Sequence, residues 1–452
     1  MSDTRKLKKK WYARVVCKDL VAEGLGLAHI VPDFFPWPVK PLTGFILGLL
    51  PSEEAIVRVE TVRSGNFHGV LAFHSELDRT LLDTFQPQHE TLAVKKISPL
   101  RIDPACKNFL NCGGCKLLHI DYDVSLEYKK RWFEAQLSRE KITVSHIQTI
   151  EAVKKYHYRN HVQVHINGRK ERGFFAPFSY RTREFPEEGC LIFPNKITDV
   201  FFPSELELER CVRIRYDEQT EKTGFWSFNS KEDKRGRFTY SVAWPPESVT
   251  TVEIPNSAFF QVNLSMLPVW LTEIENFLRA GSSVSANEHV KILELFSGTG
   301  FISKMLSYRN LIQVKGIDLL PAAALQSVTY SNNDYGTVPI LQSFNEHYFS
   351  FDLNQWEKFP AEKMKELQQF SPGVLLMNPP RGGFHRQGIE DIASQITSIE
   401  KVIYSSCNGA TLARDLASFQ RTGFEIQELK LFDFFPWTSH YEILALLTRS
   451  SN

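Results

Sequence analysis

The stretch Val290-Lys-Ile-Leu-Glu-Leu-Phe-Ser-Gly-Thr-Gly-Phe301 decides the architecture of the C-terminal part of the chain. KILELF is an apolar run of strand length, and it stops at Gly298 and Gly300, where missing side chains permit a tight turn and close approach of backbone to a ligand. Such a turn belongs at the carboxyl edge of a parallel sheet, where open α/β folds bind nucleotide-like molecules. The third position of a dinucleotide fingerprint is Ser303, and no Lys-Ser or Lys-Thr follows as a phosphate loop needs. The next apolar run, VKGID, ends at Asp318, whose carboxylate can accept both ribose hydroxyls of an adenosyl group. A glycine turn followed by an acidic strand end suits S-adenosylmethionine.

From about Asn256 the chain alternates helical segments with short apolar strands: LPVWLTEIENFLRA, then KILELF, VKGIDLL, GVLLMN, KVIYSS and EILALL. This predicts parallel βαβ units covered on both faces, an α/β domain over 256–452. GVLLMNPPRGG puts Asn378, Pro379, Pro380 and Arg381 in a stiff loop over the same sheet edge, where an amide can hold a planar base or the loop can simply turn the chain. KVIYSSCNGATLARDL places Cys407 between a strand and a helix beginning near Ala410. The positive end of that helix is expected to lower the thiol pKa, making Cys407 a candidate nucleophile, with inert burial as the plainer alternative. In LFDFFPWTSHYEILALL, Glu442 opens an apolar strand and is a candidate base, a surface carboxylate being the alternative.

The preceding half is β-rich. Residues 1–18 carry Arg5, Lys6, Lys8, Lys9, Lys10, Arg14 and Lys18 against Asp3, which suits either phosphates or a solvated tail. Apolar runs broken by Gly and Pro, such as VAEGLGLAHI and EEAIVRVETV, predict a small β-barrel within residues 1–100. In the expected central domain, 101–255, SLEYKKRWFEAQLSRE reads as a helix with an exposed charged face. HVQVHI, CVRIRY, TGFWSF, FTYSVAW and TTVEIP read as an antiparallel sheet. Seven cysteines are too few and too unevenly placed for a disulfide framework. Cys106-x5-Cys112-Gly-Gly-Cys115 and the later Cys190 offer four thiolates, a set that suits an iron–sulfur cluster or tetrahedral zinc. Cys17 and Cys211 read as ordinary buried residues.

With 452 residues, 42% hydrophobic and 23% charged, the chain is neither disordered nor a coiled coil, and its length suits two to four domains. A formal charge of +1 neither demands nor forbids a polyanionic partner. No run reaches the roughly 18 apolar residues of a membrane span, and the basic N-terminus lacks a signal-type apolar stretch, so a cytoplasmic location without membrane contact is expected.

Together these motifs resemble the RNA uracil-5-methyltransferase family, in the branch that carries a four-iron, four-sulfur (4Fe-4S) cluster and is similar to 23S ribosomal RNA m5U methyltransferases. The resemblance rests on DPACKNFLNCGGCKLLH, GCLIF, FFQVN at 259–263, ELFSGTG, NPPR, SSCNGATLARDL and FFPWTSHYE. It implies a C-terminal Rossmann-like class I methyltransferase domain, an N-terminal TRAM-like RNA-binding β-barrel around VAEGLGLAHI, and a central β-rich iron–sulfur domain. The implied cluster ligands are Cys106, Cys112, Cys115 and Cys190. S-adenosylmethionine contacts are implied at Gln261, Phe296, Gly298, Gly300, Asp318, Asn345 and Asn378. The implied chemistry has Cys407 add to C6 of uracil, which makes C5 electron-rich, and Glu442 remove the C5 proton. RNA is the implied partner, ribosomal favoured over transfer RNA, with the chain acting as a monomer.

Three departures stand out. Asn378 occupies the place where the family usually has Asp before Pro-Pro-Arg. Ser297 and Phe301 replace common Cys and Asn in the glycine loop. Gly409 replaces Pro after Cys-Asn and is expected to loosen the turn that holds Cys407. Two alternatives therefore stay open: a base amino-group methyltransferase using Asn378-Pro-Pro, and a non-catalytic iron–sulfur RNA-binding protein.

Overall fold

The computed structural model describes residues 11–31, 43–63, 65–194, 210–227, 236–244, 248–256, 258–280, 290–306, 312–318, 328–332, 336–339 and 348–450, with backbone alone for 312–318, 328–332, 336–339 and 348–350. Six strands come first: β1 (Trp11–Val21), β2 (Leu25–Ile30), β3 (Thr43–Leu47), β4 (Glu54–Arg63), β5 (Asn66–Leu71) and β6 (Val94–Lys96). Their order is β1-β2-β3-β5-β4-β6, and β1 also pairs with β4, so the first five close into a barrel. β3 and β5 are parallel and the other neighbours antiparallel, the order of an OB-type Greek-key barrel. Period-two alternation turns Ala13, Val15 and Cys17 inward. The helix α1 (Arg79–Phe85) is capped by Asp78, whose carboxylate accepts the Leu81 N–H at 2.8 Å.

The helix α2 (Tyr122–Arg139) follows the cysteine loop and presents Asp123, Glu127, Arg131 and Glu134 on the expected exposed face, but not every charge lies there. Trp132 and Tyr128 pack with Leu20, Leu50 and Leu117, while Phe133 and Leu137 join the core of the C-terminal sheet. Lys129 between them is fully buried, and its ammonium donates to Asp433 Oδ1 at 2.6 Å and to the Phe435 carbonyl at 3.1 Å. Lys129 is the exception, its ion pair with Asp433 tying the helix to the C-terminal domain.

Next come β7 (Gln148–Ile150), β8 (His161–Ile166), β9 (Arg172–Phe175), β10 (Thr182–Glu184), β11 (Cys211–Asp217), β12 (Lys222–Ser227), β13 (Arg237–Val242) and β14 (Val249–Pro255). HVQVHI, CVRIRY and TGFWSF lie in β8, β11 and β12 of one antiparallel sheet, in the order β10-β9-β8-β11-β12, but FTYSVAW and TTVEIP do not join it as expected, because β13 and β14 pair with each other in a separate sheet. The C-terminal part holds α3 (Leu267–Arg279), β15 (Val290–Leu295), α4 (Phe301–Leu306), β16 (Ile312–Asp318), β17 (Val328–Asn332), β18 (Gly336–Pro339), β19 (Tyr348–Ser350), α5 (Ala361–Phe370), β20 (Val374–Met377), α6 (Arg386–Gln395), β21 (Lys401–Ser406), α7 (Gly409–Arg421), β22 (Phe424–Phe432) and β23 (Glu442–Arg449). Its sheet order is β19-β16-β15-β20-β21-β23-β22-β7.

Strands β19, β16, β15, β20 and β21 are parallel, and β23 runs against β21. The order reverses between β15 and β20, which makes the crevice at their carboxyl ends the expected ligand site. Strand pairing crosses the expected boundaries twice: β7 lies parallel to the edge strand β22, and β14 pairs with β17. An open sheet edge accepts any strand with free backbone groups, whatever segment supplies it. No helix among the described residues is long and apolar enough to cross a membrane.

Candidate active site

Three strand ends and one strand start meet at the carboxyl edge of the C-terminal sheet. β15 runs into Phe296-Ser-Gly-Thr-Gly, β20 into Asn378-Pro-Pro-Arg, and β21 into Cys407. Because β23 runs the opposite way, its first residue, Glu442, lies at this same edge. Ser406 pairs with Ile443 at the end of this ladder, so Cys407 and Glu442 come next on the two chains at the same end, close enough that the Glu442 charge acts on the thiol.

Glu442 is 2% exposed, and its Oε1 accepts a 2.7 Å hydrogen bond from Ser405 Oγ. Burial pushes its pKa up to about 7, against the pull of the Ser405 hydroxyl. A surface role is excluded, and a carboxylate so poised can take up a proton at neutral pH.

Cys407 corrects an expectation. Its pKa is raised, not lowered: burial acts first, the Glu442 charge adds to it, and hydrogen bonding and attraction from Arg381 offset only part. The helix begins at Gly409, and its cap residue Asn408 already accepts the Ala410 N–H at 3.1 Å. Loss of water and a neighbouring carboxylate act on the sulfur directly, and they outweigh the helix end.

Arg381 is held in place by its backbone. Its carbonyl accepts from Asn408 Nδ2 at 2.9 Å and Thr411 Oγ1 at 3.1 Å. Arg414 donates to the carbonyls of Gly382 and Phe384 at 3.0 Å each. Asp415 accepts from the Phe384 N–H at 2.8 Å and from Tyr404 Oη at 2.6 Å. The loop after β20 is thus clamped to α7, with half-buried Asn378 at its start.

Gly409 packs where looseness was expected. A Cβ there would lie 2.1 Å from Gln136 Oε1, 2.7 Å from Tyr441 Oη and 2.8 Å from Phe133 Cδ2. The missing side chain lets α2 close on α7. Gly409→Ala is expected to destabilise the protein by about 1–3 kcal/mol through overpacking. Chemical denaturation should show a lower midpoint at unchanged slope; an unchanged midpoint would mean that α2 yields freely.

The glycine loop takes positive φ at Phe296 (57°), Gly298 (57°) and Gly300 (67°). For Phe296 this is a sparsely populated conformation of the kind that clusters at functional turns. Its ring meets Phe384 edge-on at 5.5 Å, joining the loops after β15 and β20. Ser303, which breaks the dinucleotide pattern, donates its hydroxyl to buried Glu294. Phe301 meets Phe260 edge-on at 5.0 Å, and Phe260 stacks on Tyr240 at 4.9 Å, so this departure serves packing. Beside Phe260, Gln261 is buried and its carbonyl accepts Asn160 Nδ2 at 3.1 Å. Asp318 ends β16 at this edge, its backbone in register with Ser350. Asn345 lies outside the described residues.

Residues 253–450 match the family described as tRNA (uracil-5-)-methyltransferase. Over that C-terminal segment the chain is similar to this family. It is 26% identical to an uncharacterized RNA methyltransferase of Leptospira interrogans, covering 78% of this chain and 81% of the other. A second relative, an uncharacterized RNA methyltransferase of Halalkalibacterium halodurans, is 25% identical with 96% of each chain covered. Among solved structures, the fold is similar to that of the Pyrococcus abyssi tRNA (uracil-54, C5)-methyltransferase in complex with S-adenosyl-L-homocysteine. The TM-score is 0.60 at 18% identity, covering 96% of this chain and 99% of that one.

The cysteines precede the segment that matches the uracil-5-methyltransferase family. Cys106, Cys112, Cys115 and Cys190 line one cavity with Phe109, Leu118, Phe174 and Phe185 among its walls. Burial raises the thiol pKa values of Cys112, Cys115 and Cys190, in the last to about 12, and the neighbouring thiols push each further. Among the described residues, no group of three or more His, Cys, Asp or Glu side chains is arranged to hold a metal ion, so the expected cluster site is not preformed.

Sequence reading found Arg381 but missed three further cations that act on His440 beside the site, Lys116, Lys129 and Arg159. His440, open to solvent on one side, has its pKa pushed down to about 4 by desolvation and then by Arg381, Lys116, Lys129 and Arg159. The β1–β2 turn of the barrel reaches the same place: a Cβ on Gly24 would lie 3.0 Å from Lys116 Cβ and 3.4 Å from Ser439 Cβ. Hydrogen bonds tie the cysteine loop, the segment before β8 and the segment before α3 to the residues preceding Glu442. The Leu117 N–H donates to the Trp437 carbonyl at 2.9 Å, Trp437 Nε1 to the Lys155 carbonyl at 2.8 Å, and Asn263 Nδ2 to the Phe434 carbonyl at 3.0 Å.

Proposed function

We propose that the protein methylates C5 of a uridine in RNA, using S-adenosylmethionine. The observation that carries this reading is the buried carboxylate of Glu442 beside the Cys407 thiol at the end of the β21–β23 ladder. Gln261, Phe296, Gly298, Gly300, Asp318, Asn345 and Asn378 are the residues assigned to the cofactor, which when bound supplies an electrophilic methyl group.

Cys407 acts first. As the thiolate it forms an S–C6 bond, and the electrons of the C5=C6 bond move through C4 to give an enolate, so that C5 becomes nucleophilic. After C5 has been alkylated, Glu442 takes its proton, the C–H electron pair restores C5=C6, and the thiolate leaves. Arg381, bonded to the sulfur, offsets part of the burial that disfavours the thiolate. Asn378, besides its assignment to the cofactor, would offer its amide carbonyl to uracil N3–H. The ring must be unstacked for its faces to be reached, and Lys116, Arg159 and Arg381 provide positive charge for the flanking phosphates. An amino-group methyltransferase requires neither the thiol nor a buried base beside it, which is why the C5 reading is preferred.

Ribosomal RNA is the proposed substrate. Mass spectrometry of separately digested ribosomal and transfer RNA from cells lacking this protein should show 5-methyluridine lost from ribosomal RNA and restored by the wild-type chain. Loss from transfer RNA alone would move the substrate, and no loss from either would contradict the proposal.

The four cysteines are proposed to hold a four-iron, four-sulfur cluster. Their donor chemistry and shared apolar cavity support it. Protein prepared without oxygen is expected to be brown with about four irons per chain, and Cys112→Ser to bleach it. Stoichiometric zinc in colourless protein would contradict the assignment.

A further inference from the structure

The central sheet carries a second feature that the catalytic edge does not use. A groove of about 910 Å³ runs along the ends of β8, β9, β10 and β11. Arg169, Arg181 and Arg210 line it, all three exposed, and none of the described residues lining it is acidic. Its floor is aromatic: His165 stacks on Phe175 at 3.6 Å, and Phe175 meets Tyr180 edge-on at 5.5 Å. Apart from that edge contact Tyr180 stands in solvent, 90% exposed, an unusual place for so large a side chain. Cys211, expected to be an ordinary buried thiol, is half-buried on the groove wall.

The groove is built on a stiff support. Alternation along β9 turns Phe174 into the cysteine cavity and Phe175 into the groove, so the two lie back to back across one hairpin. A Cβ on Gly173 would lie 1.7 Å from the Arg183 carbonyl oxygen, so only glycine permits this strand spacing. The cysteine loop holds the hairpin through the Gly113 N–H to the Phe175 carbonyl at 3.0 Å and Asn108 Nδ2 to the Glu184 carbonyl at 2.7 Å.

We propose that this groove binds an unpaired segment of the RNA substrate, with Tyr180 stacking on a base and the three arginines taking phosphates. This rests on the RNA reading given above and extends it to a second contact region. Guanidinium groups interleaved with an exposed ring are the pattern that single-stranded nucleic acid requires, since every base has a π face and every nucleotide a charge. From Arg159 at the catalytic mouth to His165 in the groove is about 20 Å along an extended strand, on the order of six nucleotides at a stacked rise of 3.4 Å. A segment flanking the target uridine therefore reaches both regions at once.

The test uses the full chain and a fluorescein-labelled 15-nucleotide oligouridine. Arg181→Ala combined with Arg210→Ala should weaken binding at least about tenfold and flatten the slope of log K against log salt by about 1.4, or 0.7 per lost contact on a single strand. Tyr180→Ala should weaken binding by about tenfold at an unchanged salt slope, and Tyr180→Phe should restore it. Since these side chains are exposed, thermal unfolding should match wild type, and KM for RNA should rise while kcat holds. Wild-type affinity and salt slope in all the variants would overturn the groove, even if uridine methylation is intact. Variant effects of the stated size in a chain that never methylates uridine would support the groove and sink the methyltransferase reading alone.

Discussion

Replacing Cys407 with alanine is expected to lower methyl transfer to RNA by roughly four to six orders of magnitude, the scale seen when a covalent nucleophile is removed. S-adenosylmethionine binding should stay within about twofold, because the thiol acts on the base and not on the cofactor. Equilibrium titration with the cofactor and single-turnover transfer on the natural RNA read the two effects separately. Turnover above a few per cent of wild type would refute C6 addition. Loss of both functions together would mean that Cys407 supports the sheet edge, a role for which its half-burial beneath the Arg381 loop gives little room.

Glu442→Gln should separate chemistry from stability in opposite directions. Without a base the C5 proton stays, Cys407 cannot leave, and a covalent protein–RNA adduct should accumulate as a slow band on denaturing gels. Stability follows from the raised pKa. The unfolded carboxyl titrates near 4.5 and the folded one near 7. The stability this residue contributes is thus complete below about 4.5 and lost as pH rises through about 7, a difference of roughly 3 kcal/mol. At pH 8 the wild type holds an ionised carboxylate in its core, whereas glutamine keeps an acceptor for Ser405 and carries no charge. The variant should melt a few degrees higher than wild type at pH 8 and nearly equally at pH 5. A lower melting point at both values would assign Glu442 a structural role. Wild-type activity should also fall as pH drops below about 7, because the base is then protonated.

How much of this could be read in the chain depends on the kind of interaction. The glycine turn, Cys407 and Glu442 were legible because strand ends are written in apolar runs, and parallel strands put their ends at one edge. That Glu442 lies beside Cys407 needed the register of β21 against β23, which no local pattern carries. The thiol pKa was read in the wrong direction because the helix end is visible in sequence, whereas burial and a carboxylate supplied 35 positions later are tertiary facts. Ser405 could have been found, since it lies on the same strand face as Cys407. Lys116 and Arg159 could not, because nothing in the spacing of a cysteine loop or a β-segment points to His440. That Lys129 leaves the exposed face of α2 could not be read either, because helical periodicity cannot show that two separate cores press on opposite sides of the helix.

The central claim is that a methyl group replaces hydrogen at C5 of uridine. It is tested most directly with RNA transcribed from uridine triphosphate tritiated at C5, incubated with wild-type protein and S-adenosylmethionine carrying a carbon-14 methyl group. The account predicts one tritium released to water for each carbon-14 methyl group gained by RNA. Methyl transfer with tritium fully retained would place the methyl group on another atom and contradict it.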